Sequence, residues 1–353
     1  MINVLGLALY GPLAASTRYR MAQFVPGLAE YGIDLQIRSL LGDDYLRRRF
    51  DGDGMPLAAM LRSGWARFHD LRNSRHDVAM LHCELFPMMP GSMERYLLGK
   101  RPYVYDFDDA FYLKYRSGRL GMLRPLLGIK FDRVMKDAAE ITAGNQTLLE
   151  YAGGLNPATN LLPTVVDTER YRPSSRKRDG TFIVGWIGSP STAPYLAQLV
   201  EPLRQLGTEG AVKLVVIGGK APIIPGIEIS MVDWNEATEV ELINGFDVGV
   251  MPLPDDDWAR GKCAFKLIQY MACGIPVIGS PVGANTSVVE PDCGYLASTQ
   301  QEWLTALRRL RDDPELASKM GRAGRQRVET HYSLQHNLPV LADVIHRAAN
   351  GSA

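Results

Sequence analysis

Short apolar runs rich in β-branched residues alternate along the chain with amphipathic stretches of helical length, the pattern of parallel sheet joined by crossover helices. In the first half INVLGLAL, IDLQIRSL, DVAMLHC, PYVYDF and AEITAG predict strands, with helices over Thr17–Tyr31 and Leu126–Ala138 between them. TFIVGWIG, VKLVVIGG, IEISMVDW, FDVGVMPL and IPVIGSPVG predict a second series. Between the two series, PTVVDTERYRPSSRKRDG is polar, carries prolines and a basic run, and has no sustained period, so it reads as a linker. After Ser298 the pattern is helical through QEWLTALRRLRDDPELASKMGRAGRQRVETHY, and a last amphipathic segment covers Leu334–Ala349. The expected fold class is α/β, with two Rossmann-like doubly wound domains. Ligands belong in a cleft at the C-terminal edges of their sheets.

Composition narrows the function classes. The chain has 353 residues, enough for two cores, and is 46% hydrophobic and 22% charged. Its 39 Lys and Arg cancel 39 Asp and Glu, so it lacks the basic excess of a protein whose main partner is nucleic acid. Four cysteines, Cys83, Cys263, Cys273 and Cys293, form no CxxC pair, which fits neither a zinc site nor a disulfide framework. MINVLGLALYGPLAAS lacks a basic n-region and reads as a first buried strand rather than a signal peptide. That cysteine usage makes a reducing cytoplasm the expected location, and with no apolar run long enough to span a bilayer any membrane contact is peripheral, at its inner face.

The most specific stretch is FDVGVMPLPDDDWARGKCAFKLIQYMACGIPVIGSPVG, Phe246 to Gly283. A strand, an acidic loop, a helix beginning near Lys262 and another strand follow in order. The stretch resembles the donor-binding region of retaining glycosyltransferases of family 4, which have the GT-B fold of two Rossmann-like domains. PTVVDTERYRP, GYLAS and EWLTALRRLRDDPELASKMGRAGRQRV extend the resemblance over nearly all of the second half. It implies an acceptor-binding domain over residues 1–168, a nucleotide-sugar donor domain over 169–335, and a last helix, 336–353, that packs back on the first domain.

A nucleotide diphosphate needs positive charge and backbone N–H groups, which a helix N-terminus with nearby lysines supplies. Lys262 and Lys266, four apart, share one face there, and Gly261 lets the backbone approach a phosphate. The family often marks this helix with two glutamates. Here Gly261 and Gln269 stand in their places. Gln269 still offers hydrogen bonds to ribose hydroxyls, while the sugar contact passes to backbone groups of Gly261, Cys263, Ala264 and Phe265, or to Asp255–Asp257. The Arg and Lys that family members carry after the first strand of the donor domain are also absent. In their place Gly188, Ser189, Ser191 and Thr192 form a turn able to cradle phosphate, or simply to cap a helix. Trp234 is placed to stack on the base or to serve the core. Arg260 is a weaker candidate that can pair within its acidic loop.

In the first domain GPLAASTRYR joins a strand to a helix, placing Arg18 and Arg20 near its N-terminus with Ser16 and Thr17 as caps. Asp106, Asp108 and Asp109 end a predicted strand, Asp108 at the position of a histidine common in the family. Glu84 ends another strand, beside His82, which reads as structural. Arg18, Arg20, Glu84 and Asp106 are expected to bind acceptor, and Asp108, Asp109, Lys262 and Lys266 to take catalytic roles. The acidic run also fits a DxD metal motif, set aside because the donor signals all lie after residue 180. The expectation is no metal and no cofactor beyond the nucleotide-diphosphate sugar donor.

The resulting expectation is a retaining glycosyltransferase that moves a sugar from a nucleotide-diphosphate sugar to a hydroxyl acceptor, small, sugar-borne or lipid-linked, in glycan biosynthesis. A non-catalytic sugar-nucleotide-binding partner of another transferase and a nucleotide-sugar epimerase are the alternatives. Lys114–Lys136 has seven basic residues and one acid with apolar residues between them. It reads as a membrane-contact segment, a solvated helix face or a basic acceptor cleft.

Overall fold

The computed structural model describes residues 1–50, 53–54, 56–174 and 180–351. The basic run of the expected linker, residues 175–179, lies outside them. The chain divides into two compact units, Met1–Val165 with Leu334–Ala353, and Val166–Ser333. The divisions thus fall slightly before the boundaries set from sequence, because the last helix, Leu334–Asn350, belongs wholly to the first unit. Its Leu341, Ala342, Val344 and Ile345 are buried in that unit's core with Leu28, Met80 and Val104.

The first unit holds β1 (Ile2–Tyr10), β2 (Ile33–Leu41), β3 (Val78–His82), β4 (Tyr103–Phe107), β5 (Glu140–Ala143) and β6 (Thr159–Leu161). They form one parallel sheet in the order β2-β1-β3-β4-β5-β6. The second holds β7 (Phe182–Ile187), β8 (Val212–Ile217), β9 (Glu228–Val232), β10 (Val248–Met251), β11 (Val277–Gly279) and β12 (Gly294–Leu296). Its order is β12-β11-β10-β7-β8-β9, again all parallel. Helices cover both faces of such sheets, so central strands such as β3 and β10 are apolar and buried throughout. In each sheet the strand order reverses at one place, between β1 and β3 and between β7 and β10. Loops leaving the strands' C-terminal ends there are where doubly wound sheets bind ligands.

Several helices are shorter than the hydrophobic period suggests. Thr17–Tyr31 resolves into a helix Ala15–Arg20, a 3-10 turn Ala22–Phe24 and a helix Val25–Glu30. Pro26 opens the third piece, since it has no N–H to continue the second. Leu126–Ala138 breaks at Gly128 into Arg124–Leu127 and Lys130–Lys136.

One helix is turned the unusual way round. In Leu57–Asn73 the inward positions carry Ala59, Ser63, Gly64 and Arg67, whereas Leu57, Leu61 and Trp65 face solvent at 71%, 66% and 70% exposure. Arg67 anchors the inner side. It is fully buried, and its Nη2 donates to the carbonyls of Ala8 (2.6 Å) and Arg38 (3.0 Å). Burial lowers its pKa to about 10. Among the described residues no helix is long and apolar enough to cross a membrane.

Candidate functional site

In the second unit, β7 ends at Ile187 and runs directly into Gly188–Thr192, and β10 leads through Pro252–Asp256 into the helices Asp257–Arg260 and Phe265–Ala272. These two loops flank the place where the strand order reverses. A hydrogen bond joins their supports, the Ile187 N–H donating to the Tyr270 hydroxyl at 2.9 Å. Tyr270 in turn lies flat against β10 because residue 249 is glycine. A β-carbon there would sit 2.1 Å from the tyrosine ring.

Lys266 and Gly188 meet at this junction. A β-carbon on Gly188 would lie 2.7 Å from Lys266 Cε and 2.6 Å from the Trp186 indole. The missing side chain is therefore what lets the lysine stem pass over the strand end, its ammonium 5.6 Å from the Trp186 ring centre. Trp234 closes the other side, since a β-carbon on Gly218 would meet both the Gly188 carbonyl (2.5 Å) and Trp234 Cβ (3.0 Å). Gly188→Ala is expected to destabilise the fold by about 1–3 kcal/mol through overpacking, measured by denaturant unfolding. Adding Lys266→Ala removes one of the two clashes and should restore part of the loss.

The helix carrying Lys266 starts abruptly. Ala264 holds the left-handed conformation (φ 53°) and caps the helix without a side-chain hydrogen bond. A non-glycine residue there stores strain of about 1–3 kcal/mol, a feature that clusters at ligand sites. Cys263 and Ala264 are buried, while Lys262, Phe265 and Lys266 are half-buried. The Lys262 ammonium lies 5.8 Å from the Trp258 ring centre. Ser189 and Ser191 share a 2.8 Å hydroxyl contact, and Thr192 Oγ1 donates to the Ser189 carbonyl. The turn precedes the 3-10 helix Ala193–Leu199 without capping it through a side chain.

Two expectations for this unit change. The Gln269 amide is 3% exposed and donates to the Tyr171 hydroxyl at 2.9 Å. That hydroxyl donates to Glu239, which also accepts the Trp234 indole N–H at 2.5 Å. Gln269 thus satisfies a buried chain of polar groups instead of offering its amide to ribose, and the Trp234 indole is oriented by Glu239. The aspartate loop is also spent locally. Asp255 and Asp257 pair with Arg260, and Asp256 caps the helix Asp257–Arg260.

In the first unit the strand ends carry two buried polar clusters. Asp106 accepts hydrogen bonds from Arg20 Nε (3.1 Å) and Nη2, and from Thr142 Oγ1 (2.6 Å). It also holds His82 Nδ1 at 2.8 Å. Arg20 also donates to the Leu162 carbonyl at 2.7 Å. Burial works against the Asp106 charge, but Arg20 and His82 hold its carboxyl well below the usual range. The second cluster centres on Glu84, which takes Lys130 Nζ (2.7 Å), the Tyr115 hydroxyl (3.0 Å) and Lys114. Burial again opposes the charge and the two lysines outweigh it. The neighbouring Glu94, 2.9 Å from Lys130, is pushed up to about 7 by burial.

These contacts correct the acceptor set. Arg20, Asp106 and Glu84 have no exposed side-chain surface, so they build the sheet edge and do not meet an acceptor. Arg18 folds back onto its own turn, donating to the carbonyls of Pro12 and Leu13 at 2.8 Å each. Thr17 does not cap its helix, since its hydroxyl goes to the Tyr10 carbonyl. Asp108 and Asp109, just past β4, keep partial exposure. Lys114–Lys136 is less basic at its surface than in sequence: Lys130 is fully buried, Lys114 pairs with Glu84, and Arg116 with Asp132. His82, Cys83 and Asp108 bring their donor atoms within 4.8 Å of one another. Burial holds the Cys83 thiol protonated, which makes the trio a weak set for a metal ion.

Comparison with known proteins agrees with this architecture. Residues 197–343 match a family described as glycosyl transferase-like. No curated protein sequence matches the chain. Among solved structures, sucrose-phosphate synthase from Thermosynechococcus elongatus superposes with a TM-score of 0.70 at 15% identity, covering 100% of both chains. HepE from Anabaena, solved with UDP and glucose, gives 0.69 at 14% identity, covering 98% of this chain and 100% of its own. WaaG, a glycosyltransferase involved in lipopolysaccharide biosynthesis, gives 0.67 at 16%, covering 98% and 99%. At such identities the likeness is one of fold.

Proposed function

We propose, from the premise that this chain has the GT-B fold and a glycosyl transferase-like second unit, that it is a retaining glycosyltransferase of family 4 acting on a nucleotide-diphosphate sugar. The observation that carries the proposal is the junction of Lys266 with Gly188 at the reversal point of the second sheet. There the half-buried Lys266, the N-terminus of the helix Phe265–Ala272 and the Gly188–Thr192 turn lie together, and positive charge and backbone N–H groups so placed would hold one diphosphate. HepE has been solved with UDP-glucose, which makes UDP-glucose the first donor to test.

In the proposed reaction the bond from the anomeric carbon to the diphosphate oxygen breaks, and the acceptor oxygen bonds to the same carbon on the same face. The departing diphosphate takes the acceptor proton, so no protein base is required. Lys262, Lys266 and the helix N-terminus stabilise the charge that develops on the diphosphate. Asp108 and Asp109 are assigned to substrate hydroxyls, and the chain's location is assigned to the cytoplasm. A panel of nucleotide sugars tests the reading. Binding of at least one donor, with release of nucleoside diphosphate when an acceptor is supplied, is the expected result. Conversion of the donor to an epimer, or binding without turnover across a broad acceptor set, supports the epimerase or binding-partner alternatives instead.

Peripheral contact with an anionic membrane is part of the same proposal, and the outward face of Leu57–Asn73 supports it. Leu57, Leu61 and Trp65 stand beside exposed Arg62 and Arg72. Met122, Leu126 and Ile129, also exposed, stand beside exposed Arg124, Arg133 and Lys136. Apolar side chains flanked by arginine are the chemistry of interfacial helices on acidic lipid. Co-sedimentation with vesicles containing phosphatidylglycerol is expected at low salt and should be largely lost in Trp65→Glu. Equal binding by the variant, or none by the wild type, removes the membrane from the account.

A further inference from the structure

We propose that the loop 83–90 binds the apolar aglycone, the non-sugar part, of an acceptor through Met88, and that Tyr115 is the positioning residue that holds Met88 in place. The inference rests on the glycosyltransferase reading and deepens it by naming an acceptor class.

The loop leaves the C-terminal end of β3, beside the place where the strand order of the first sheet reverses, which is where doubly wound sheets meet ligands. Among the described residues three non-glycine residues hold left-handed backbone. One is Ala264, at the start of the Lys266 helix, and the others are Cys83 (φ 67°) and Met88 (φ 65°), both in this loop. Strained residues persist only where their surroundings over-determine them, and they gather at ligand sites. Here each has its restraint. The Tyr105 hydroxyl donates to the Cys83 carbonyl at 2.6 Å, and the Met88 N–H donates to the Tyr115 hydroxyl at 3.0 Å. Between them Phe86 is gripped twice, its N–H donating to Glu94 Oε1 (2.7 Å) and its carbonyl accepting from Lys130 Nζ (2.6 Å). Lys130 gives its other two protons to Glu84 and Glu94, and Tyr115 donates to Glu84. Glu84, Glu94, Lys130 and Tyr115 are all buried. A buried ion cluster adds little stability over apolar packing of the same volume. What this one does is fix a loop whose own backbone resists the shape.

The surface so fixed is apolar. Phe86, Pro87, Met88, Met89 and Pro90 follow one another at exposed or half-buried positions, Met88 at 50% exposure, and the one charged residue of the loop, Glu84, is buried. Such a tip has no side-chain hydrogen bond to offer a sugar hydroxyl, and the Phe86 and Met88 amides are already committed. An alkyl or aryl group suits it, and the pliable thioether of methionine adapts to either. The apolar surface also continues beyond the loop. A β-carbon on Gly91 would lie 2.4 Å from the Lys130 carbonyl, so the helix Gly91–Leu98 starts pressed against that backbone. Exposed Met93 follows two residues later, and exposed Ile129 stands just before Lys130, next in turn to Leu126 and Met122 of the face assigned above to lipid. Exposed apolar residues grouped in this way mark interaction sites.

The test titrates the full chain, its methionine methyl groups isotope-labelled for NMR, with methyl, phenyl and octyl glucoside, the last below its micelle concentration. The Met88 signal is identified by its absence in Met88→Leu. Octyl or phenyl glucoside should shift that signal and bind about tenfold more tightly than methyl glucoside, which lacks the apolar group. Preference for octyl over phenyl assigns a lipid-borne chain, and equal preference a compact aglycone. Met88→Gly adopts left-handed backbone freely, so it should melt no lower than the wild type and still lose most of the preference. Met88→Leu, which keeps an apolar side chain of similar volume, should retain it. Tyr115→Phe, which removes only the hydroxyl, should reduce the preference about threefold while UDP affinity stays within about twofold. With UDP-glucose as donor, Met88→Gly and Tyr115→Phe should raise KM for the preferred glucoside and leave kcat within about twofold. A Met88 signal unmoved by octyl and phenyl glucoside, or a preference retained in Met88→Gly, overturns the proposal, and an unchanged preference in Tyr115→Phe overturns its positioning role. The titrations need no donor, so the two readings fail separately. Glucoside binding without binding of UDP or any nucleotide sugar removes the transferase, whereas UDP binding with no response at Met88 removes only this inference.

Discussion

Lys266→Ala is expected to weaken nucleotide-diphosphate binding by roughly 10- to 150-fold, the equivalent of about 1.5–3 kcal/mol for a hydrogen bond to a charged group. The effect is large because the lysine is half-buried, its stem fixed over Gly188 and its ammonium over Trp186. Less flexibility is lost on binding than for a surface lysine. Lys266→Met separates charge from packing, since it keeps the stem in its channel. It should lose affinity as Lys266→Ala does while melting closer to the wild type. Lys262→Ala should cost less alone, and the double variant more than either. Calorimetry with UDP reads all four, and unchanged affinity in Lys266→Met would remove this lysine from the site.

The second large effect is on stability. Arg20→Met leaves the Asp106 carboxylate buried without its guanidinium, and breaking such a pair costs about 3–5 kcal/mol. Both side chains have no exposed surface, so water does not replace the lost bonds. Denaturant unfolding should show the loss, and the double variant Arg20→Met with Asp106→Asn should recover part of it. Because the folded pKa of Asp106 is depressed, its contribution is present above the unfolded carboxylate pKa of about 3.9 and lost as pH falls below that. Arg20→Met should accordingly lose less stability on acidification than the wild type.

The sheets were legible in the sequence because buried parallel strands are continuous apolar runs, and the runs from INVLGLAL to IPVIGSPVG each contain one strand. The edge strands Thr159–Leu161 and Gly294–Leu296 were not, since TNL and GYL lack the β-branched apolar run that marks the equally short Val277–Gly279. The loop and helix at the reversal point of the second sheet were legible in the order of strand, acidic loop and helix from Phe246 to Gly283. Their supports were not. Tyr270, Trp186 and Glu239 read as ordinary helix and strand residues, and only the fold brings them against Ile187, Lys266 and Trp234. The acceptor candidates misled for a related reason. Charged residues at strand ends resemble site residues in sequence, and nothing in RPYVYDFDDA distinguishes Asp106, which faces Arg20 in the interior, from Asp108, which remains partly exposed. The alternation of a strand does separate them from Phe107, but not from each other.

The most direct test of the central claim is to incubate the purified chain with UDP-glucose and the other common nucleotide sugars, with and without glycoside acceptors, and to follow nucleoside diphosphate release and the anomeric configuration of the product by NMR. A retained configuration, with release that depends on Lys266, is the predicted result. Inversion at the anomeric carbon would contradict the retaining assignment, and no binding or turnover of any donor would contradict the function itself.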